Sequence, residues 1–196
     1  MTHFSPRAFY LPFLLAAAVV VPALAAPNAP AAPGVPNFHE VNALVYRGGQ
    51  PNQQGFASLA KLGITTVVDL THSGADAARE RREVEAAGMR YVSVPMNPTG
   101  IVEPDAAKVE RVLAILNSAT GPVFIHCKKG ADRTGTVAAC YRIEHDHWKA
   151  NQAQKEANQY GMSWLNIGMK RYIAGFRRTS PSRTVLAAAA LPATAH

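Results

Sequence analysis

The residues best suited to chemistry lie in the ten-residue segment HCKKGADRTG, which runs from His126 to Gly135. Cys127 and Arg133 stand six positions apart, and the loop between them can curl so that its backbone N–H groups converge on one point. A helix beginning beside Arg133 would add unpaired N–H groups and partial positive charge. Gly130 removes side-chain bulk and permits unusual backbone angles. The segment therefore predicts a pocket for a phosphate dianion with a thiolate at its base.

The side chains of this segment have complementary uses in phosphate-ester chemistry. Arg133 can chelate two phosphoryl oxygens with its planar guanidinium, and the same positive field favours ionisation of Cys127. The thiolate can attack phosphorus in line and form a phosphocysteine that water then hydrolyses. Thr134 can donate its hydroxyl to the sulfur and help the thiolate leave. The phosphate cradle is completed by Lys128, Lys129, Gly130 and Ala131. This chemistry requires no metal ion and no cofactor.

Strands and helices alternate on both sides of the segment. The apolar run 122–126 predicts a buried strand that leads straight into Cys127, and the largely apolar run 134–144 predicts a central helix after it. Further strands are predicted at 44–47, 64–70 and 91–95, and further helices at 54–62, 76–87, 104–117, 149–159 and 163–176. This alternation predicts an α/β fold with a central, mostly parallel sheet flanked by helices.

The N-terminus has the layout of a secretory signal peptide. Arg7 precedes an apolar run at 8–21, and Ala23-Leu24-Ala25 has the small-x-small pattern of a cleavage site. The apolar run is shorter than the ~20 residues that a transmembrane helix needs. We therefore predict export to the periplasm or the medium. The predicted organisation is a signal peptide at 1–25, a Pro/Ala-rich linker at 26–36, one folded domain at 37–178 and a low-complexity tail at 179–196.

The charge of the chain favours anionic partners. Its formal net charge is +7 at pH 7, which suits phosphorylated substrates, lipid headgroups or nucleic acid. No interleaved aromatic platform for single-stranded nucleic acid is evident, so we expect no nucleic-acid partner. A basic cluster near the C-terminus is interpreted as a solvated face, with a membrane surface or an acidic partner as the alternative; it comprises Lys170, Arg171, Arg177 and Arg178.

The chain contains two cysteines, Cys127 and Cys140. If a helix begins near Arg133, Cys140 lies about two turns along it, roughly 10 Å beyond its N-terminus. A disulfide requires Cα atoms about 4.4–6.8 Å apart. We therefore expect no bridge between the two cysteines and a buried, apolar environment for Cys140.

At these residues the chain resembles the dual-specificity branch of the protein tyrosine phosphatase superfamily, and most of all its exported bacterial members, whose loop has the pattern HC-x-x-G-x-DRTG. The resemblance extends over about residues 37–177 and includes three further segments: YRGGQP at 46–51, GITTVVDL at 63–70 and AACYR at 138–142. It implies the cysteine-phosphatase fold and a protein-tyrosine-phosphatase-like hydrolase. By the same resemblance, Cys127 is the nucleophile, Arg133 the phosphate clamp and Thr134 the hydroxyl that releases the thiolate.

The proton donor to the leaving oxygen departs from the family's pattern. Related phosphatases commonly carry an aspartate on a separate loop upstream of the cysteine, and the corresponding window, 95–102, contains no carboxylate. Some branches use an aspartate at the position of Asp132, which could alternatively hold the loop by accepting backbone N–H bonds. Asp105 lies just downstream of the window, where it could instead supply favourable charge at a helix N-terminus. Glu103 is a weaker candidate of the same kind.

The resemblance implies protein phosphotyrosine as the first substrate class. A phosphoinositide or an inositol phosphate is the alternative, on the strength of Lys128, Lys129 and Asp132. The two lysines could contact a second phosphate, although solvated charge accounts for them equally well. A catalytically weak phosphate-binding module is the alternative of a different class, and the window without a carboxylate is the argument for it. The sequence leaves the oligomeric state open.

Overall fold

The centre of the fold is a five-stranded sheet, seen in a computed structural model that describes residue 1 and residues 31–177. The strands are β1 (His39–Asn42), β2 (Val45–Gly49), β3 (Thr66–Asp69), β4 (Arg90–Ser93) and β5 (Val123–Cys127). They lie in the order β1-β2-β5-β3-β4, with β1 antiparallel to β2 and the other neighbours parallel. The predicted mostly parallel sheet is confirmed. The edge strand β1, which buries only one residue, was not predicted.

Six helices within the described residues cover the sheet. They are α1 (Gln53–Lys61), α2 (Gly74–Ala86), α3 (Ala106–Asn117), α4 (Asp132–Glu144), α5 (Ala150–Gln159) and α6 (Ile167–Gly175). Each predicted helix is present, but α6 begins four residues later than the predicted start at 163. The reason is that residues 163–166 form a turn whose polar groups bind the start of α4.

The two faces of the sheet pack against different helices, because successive strand residues point to opposite sides. Val67 and Phe124 face a cluster that includes α1 and α2, whose buried members are Phe56, Leu59 and Val84. Val68 and Ile125 face a larger cluster with α3 and α4. The predicted apolar face of α3 is buried there, and it consists of Val109, Val112, Leu113 and Leu116. A third cluster joins α4 to α5 and α6 through Ala139, Ile143, Ala153, Ala157 and Ile173.

Residues 31–36 pack on the domain, which differs from the flexible linker that composition predicted there. Ala32 and Val35 are buried in the cluster around α1. The carbonyl of Gly34 accepts a hydrogen bond from the N–H of Asn52, and the carbonyl of Pro36 accepts one from Gly49. Apart from Met1, the predicted signal peptide lies outside the described residues, as does the predicted tail. None of the helices in the described part is both long and apolar enough to span a membrane.

The topology places three strand ends at one edge of the sheet. β5 lies between β2 and β3, and the register aligns Cys127 with Gly49, and His126 with Asp69. In open α/β sheets, ligands bind outside the carboxyl ends of the parallel strands. The predicted cysteine loop therefore emerges at the edge where a site is expected.

Candidate active site

The cysteine loop passes tightly over the end of β2. Gly130 has a φ of +72°, and a Cβ atom there would lie 2.5 Å from the backbone nitrogen of Gly49 and would overlap the carbonyl group of Gly48. A Cβ on Gly49 would in turn lie 3.2 Å from the carbonyl carbon of Lys129. The glycine pair of the YRGGQP segment and Gly130 thus allow one backbone to cross another at close range.

Cys127 is the last residue of β5, and its side chain lies at the base of this loop with 2% of its surface exposed. α4 follows the loop, and in the described structure no side chain caps its N-terminus at Ala131. The first N–H groups of a helix have no partner within the helix. They are therefore available to an anion held above Cys127.

Arg133 lies in the first turn of α4 and is 9% exposed. Its Nη1 donates a hydrogen bond of 3.2 Å to the carbonyl of Leu70, just beyond the end of β3. The same carbonyl accepts the N–H of Met96 at 3.0 Å. The end of β3 thus fixes the direction of the Arg133 side chain and leaves its other guanidinium N–H groups for a phosphate.

Thr134 is fully buried, and its hydroxyl has no hydrogen-bond partner among the residues that the structure describes. The predicted hydrogen bond to the sulfur of Cys127 is not formed in this state. The thiolate-release role of Thr134 stays a prediction about the phosphocysteine.

The loop also carries the two predicted lysines. Lys128 and Lys129 are exposed, whereas Gly130 and Ala131 are buried. The backbone of Lys128 helps to hold the loop, because its carbonyl accepts a hydrogen bond from the N–H of Gln50 at 3.3 Å. The two lysine side chains are exposed on the loop that carries Cys127, so they are available to a second anionic group of a substrate.

The acid candidates occupy different settings. Asp132 begins α4, and its Oδ1 accepts hydrogen bonds from the N–H of Ser163, at 2.9 Å, and from the side-chain amide of Asn166. Asp105 caps α3 and accepts the N–H of Ala107 at 3.0 Å, which is the helix-terminus role weighed against catalysis. Glu103 is exposed. Asp132 therefore directly follows the cysteine loop at the start of α4, whereas Asp105 lies at the start of α3.

Sequence reasoning missed Arg47, which lies beneath the loop with no exposed surface. Its Nη2 donates to the carbonyl of Gly130 at 2.9 Å, and its guanidinium carbon lies 4.8 Å from the ring centroid of Tyr160. Burial lowers the pKa of Arg47 to about 10, while the negative charges of Glu156, Tyr160 and Cys127 act in the opposite direction. A charged residue inside a predicted strand was the available clue.

Sequence reasoning also missed Glu80, which contacts His126 on the opposite face of the sheet. The Nε2 of His126 lies 2.8 Å from Oε1 of Glu80, and both side chains are buried. The Oε2 of Glu80 accepts a hydrogen bond from Gln50 and lies 2.9 Å from Nδ1 of His72. Burial raises the pKa of Glu80, but the charge of the neighbouring His126 and the hydrogen bonds from Gln50 and His72 outweigh it and hold that pKa below its usual value.

Asp69, His72 and Glu80 form the one cluster in the described part whose ligand atoms could meet a metal ion, since these atoms lie within 4.8 Å of one another. The oxygens already accept hydrogen bonds from protein donors. The carboxylate of Asp69 accepts the hydroxyl of Tyr91 at 2.8 Å and the N–H of Thr71 at 2.6 Å. This donor set favours a hydrogen-bonded cluster that supports His126 over a metal centre.

Comparison with known proteins finds relatives over most of the described domain. The family model described as "DSP-PTPase phosphatase fused to NAD+ Kinase" matches residues 30–171. The dual specificity protein phosphatase TpbA of Pseudomonas aeruginosa (strain UCBPP-PA14) is 34% identical over 156 residues, which cover 76% of this chain and 67% of that protein. The inositol diphosphatase DSP2 of Oryza sativa subsp. japonica is 32% identical over 133 residues, which cover 67% of this chain and 59% of that protein.

The fold is shared with solved structures. The crystal structure of a P. aeruginosa TpbA variant in complex with pTyr is similar at a TM-score of 0.61 and 30% identity. The match covers 79% of this chain and 91% of that one. The described domain therefore corresponds to nearly all of the solved TpbA chain.

Proposed function

Because this chain belongs to the dual-specificity protein phosphatase (DSP-PTPase) family, we propose that Cys127 carries out phosphomonoester hydrolysis through a phosphocysteine. The protein is a protein-tyrosine-phosphatase-like phosphatase, and its substrates are phosphorylated. The observation that supports the assignment to Cys127 is geometric. A buried thiol lies at the end of β5, below an uncapped helix N-terminus and beside an arginine whose direction is fixed by Leu70.

In the first step, the thiolate of Cys127 attacks phosphorus, so that an S–P bond forms as the bond to the leaving oxygen breaks. The N–H groups of the loop and the guanidinium of Arg133 hold the phosphoryl oxygens and stabilise the charge on them. In the second step, water attacks phosphorus, the S–P bond breaks, and inorganic phosphate leaves. The Thr134 hydroxyl donates to the departing sulfur.

Asp132 is the proposed proton donor to the leaving oxygen. The hydrogen bonds that reach its carboxylate in the described part converge on Oδ1, so Oδ2 carries the proton. After the first step the carboxylate accepts a proton from the attacking water.

Three variants test the assignment of the nucleophile and the acid. The wild type should hydrolyse an aryl phosphate, and Cys127→Ser should abolish that hydrolysis. If the protein only binds phosphate, the wild type itself will show no turnover. Asp132→Asn should lower kcat on a phosphoserine peptide by about 10²–10⁴-fold, the usual contribution of a general acid, and much less on an aryl phosphate. Asn166→Ala is the matched control, because it removes the contact to Asp132 and keeps the carboxylate. Near wild-type kcat for Asp132→Asn would overturn the acid assignment.

Protein phosphotyrosine is the proposed substrate class. The similarity to a dual specificity protein phosphatase, TpbA, supports it, together with the TpbA structure in complex with pTyr. An inositol phosphate or a phosphoinositide is the second candidate, because Lys128 and Lys129 are exposed on the loop and one relative is an inositol diphosphatase. The double variant Lys128→Met/Lys129→Met separates the two. It should leave kcat/KM for a phosphotyrosine peptide within about threefold, whereas a phosphatase directed at inositol phosphates would lose at least tenfold on those substrates.

We also propose that the protein is exported and that cleavage follows Ala25. The support is the charged, apolar and small-residue order of residues 1–25. Mass spectrometry of the protein recovered from the periplasm should give an N-terminus at Ala26, and a mature protein that begins at Met1 would contradict the proposal.

A further inference from the structure

Five large apolar side chains are exposed on two neighbouring segments beside the cysteine loop. They form what we call the apolar rim, which consists of Ile101, Val102, Trp164, Leu165 and Ile167. Each is more than half exposed, and Trp164 and Ile101 reach 78% and 75%. Isolated surface hydrophobic residues are normal, but a contiguous exposed group marks an interaction surface.

The two segments of the rim are packed together rather than exposed independently. The N–H of Gly168 donates to the carbonyl of Gly100 at 2.8 Å. A Cβ atom on Gly168 would overlap the backbone of Val102, and one on Gly100 would overlap the side chain of Asn166. The close backbone contact makes Ile101, Val102 and Ile167 parts of one surface.

The rim is also fixed beside the phosphate pocket. Asp132, at the start of α4, accepts the N–H of Ser163 and the side-chain amide of Asn166. These two residues bracket Trp164 and Leu165, so the apolar side chains are carried on a turn that is tied to the loop. Whatever the rim contacts is therefore held next to the mouth of the site.

Cationic side chains accompany the rim. Ile167 and Arg171 stand four positions apart in α6 and are both exposed, so they share one face of that helix. Lys128 and Lys129 are exposed on the loop itself. Glu103 and Asp105, which follow Val102, are the exposed acidic residues of the same segment. Among these exposed groups the three cations outnumber the two carboxylates.

We propose that the apolar rim docks the protein on the surface of an anionic lipid bilayer. The exposed apolar side chains of the rim suit this partner, because they can enter the apolar layer of a bilayer without a matching pocket. Tryptophan is enriched at the headgroup level of bilayers, and apolar residues combined with Lys and Arg bind anionic interfaces. Trp164, Ile101 and Ile167 enter the interface, while Arg171 and the loop lysines contact the headgroups.

Vesicle co-sedimentation tests the proposal without relying on catalysis. The full chain, as matured by its host and carrying Cys127→Ser, should bind phosphatidylglycerol-containing vesicles more tightly than phosphatidylcholine vesicles. The triple variant Ile101→Ser/Trp164→Ser/Ile167→Ser should weaken that binding at least tenfold. Leu44→Ser is the matched control, since Leu44 is also exposed but adjoins the first residue of β5, at the opposite end of the strand from Cys127.

Tryptophan fluorescence provides a second readout. The chain has two tryptophans, Trp148 and Trp164. Lipids brominated in their acyl chains should quench the emission of the Cys127→Ser protein, and Trp164→Phe should remove most of the quenching. The proposal is overturned if vesicle binding is undetectable, or if the triple variant binds like the parent, as it would if another segment held the bilayer. It is also overturned if the triple variant changes only the affinity for a phosphopeptide or self-association.

Discussion

The two faces of the sheet carry opposite charges at its carboxyl edge. Arg47 pairs in register with Ile125 and lies on the face covered by α3 and α4, where it holds the loop through the carbonyl of Gly130. Asp69 pairs with His126 on the other face, where Glu80 of α2 joins them. The cysteine loop thus has a buried cation beneath it and buried carboxylates behind its strand.

The separation of Arg47 from Asp69 and Glu80 on opposite faces allows the site to contain both a buried cation and buried carboxylates. A carboxylate near the phosphate would repel a dianion, but the backbone of the sheet separates Glu80 and Asp69 from the pocket. On their side Glu80 lies 2.8 Å from His126 and accepts a hydrogen bond from Gln50, and Asp69 accepts one from Tyr91. On the other side, Arg47 adds to the positive field of Arg133 and the helix N-terminus. The cationic face therefore serves the chemistry, and the anionic face serves the position of the strand.

The largest effect should come from the glycine at which the loop crosses β2. Gly130→Ala would place a side chain against the backbone of Gly48 and Gly49 at a φ of +72°. The loop must move by about 1 Å, and displacements of that size can cost on the order of 100-fold in rate. Activity on an aryl phosphate and thermal unfolding would be measured together.

Gly63→Ala is the matched control, because Gly63 has a φ of +78° but no atom near the added Cβ. It should lose about 1–2 kcal/mol of stability and keep its kcat/KM. Equal activities for Gly130→Ala and Gly63→Ala would show that the crossing does not shape the site.

Arg47→Met should separate activity from stability. The attraction between Arg47 and the thiolate of Cys127 is mutual, so its loss should slow alkylation by iodoacetamide at neutral pH and lower kcat/KM by about tenfold, or ~1.4 kcal/mol. Stability should change by less than about 1 kcal/mol, because relief of a buried charge offsets the lost hydrogen bond. Arg79→Met, in an exposed ion pair, is the control. Unchanged alkylation in Arg47→Met would refute the cationic role of this face.

Glu80→Gln should have the smallest effect on rate and a distinct effect on acid stability. The pKa of Glu80 is lowered from 4.5, so its stabilisation is present above that value and is lost as the pH falls through the folded-state pKa. The wild type should therefore lose more of its free energy of unfolding below about pH 4.5 than Glu80→Gln does. At pH 7 the variant should be less stable by about 2 kcal/mol, with kcat within about threefold.

Urea unfolding at a series of pH values measures this difference. Glu85→Gln changes an exposed carboxylate of the same helix and should follow the wild-type curve. If Glu80→Gln is parallel to the wild type at every pH, the anionic face does not depend on this carboxylate.

The parts of the site that are local in sequence could be predicted, and the parts that depend on tertiary packing could not. The strand, loop and helix around Cys127 follow from one continuous pattern. Arg47 contacts Gly130 across 83 positions, and nothing in the local pattern of 44–47 indicates that partner. Glu80 belongs to a helix whose charged sequence predicts exposure, but the fold turns this one side chain inward.

Dependence on tertiary packing also explains why the structure differs from the sequence prediction at β1, at the start of α6 and at residues 31–36. β1 escaped prediction because its pairing with β2 leaves only Val41 buried, which gives no alternating pattern. The start of α6 was placed too early because the turn at 163–166 is fixed by Asp132, a residue 31 positions away from Ser163. Residues 31–36 look like a linker by composition, yet Ala32 and Val35 complete the cluster at α1.

The burial of Cys140 affects how the protein responds to oxidation of Cys127. Both cysteines are free, and Cys140 is fully buried, where burial, with the charge of Glu144, raises the pKa of its thiol. A sulfenic acid formed on Cys127 therefore has no exposed second thiol in the chain with which to condense. Its rescue depends on an external reductant or on a backbone nitrogen. Because Cys140 is fully buried, the amount of a thiol-directed probe that reacts with the folded protein should equal the amount of reduced Cys127.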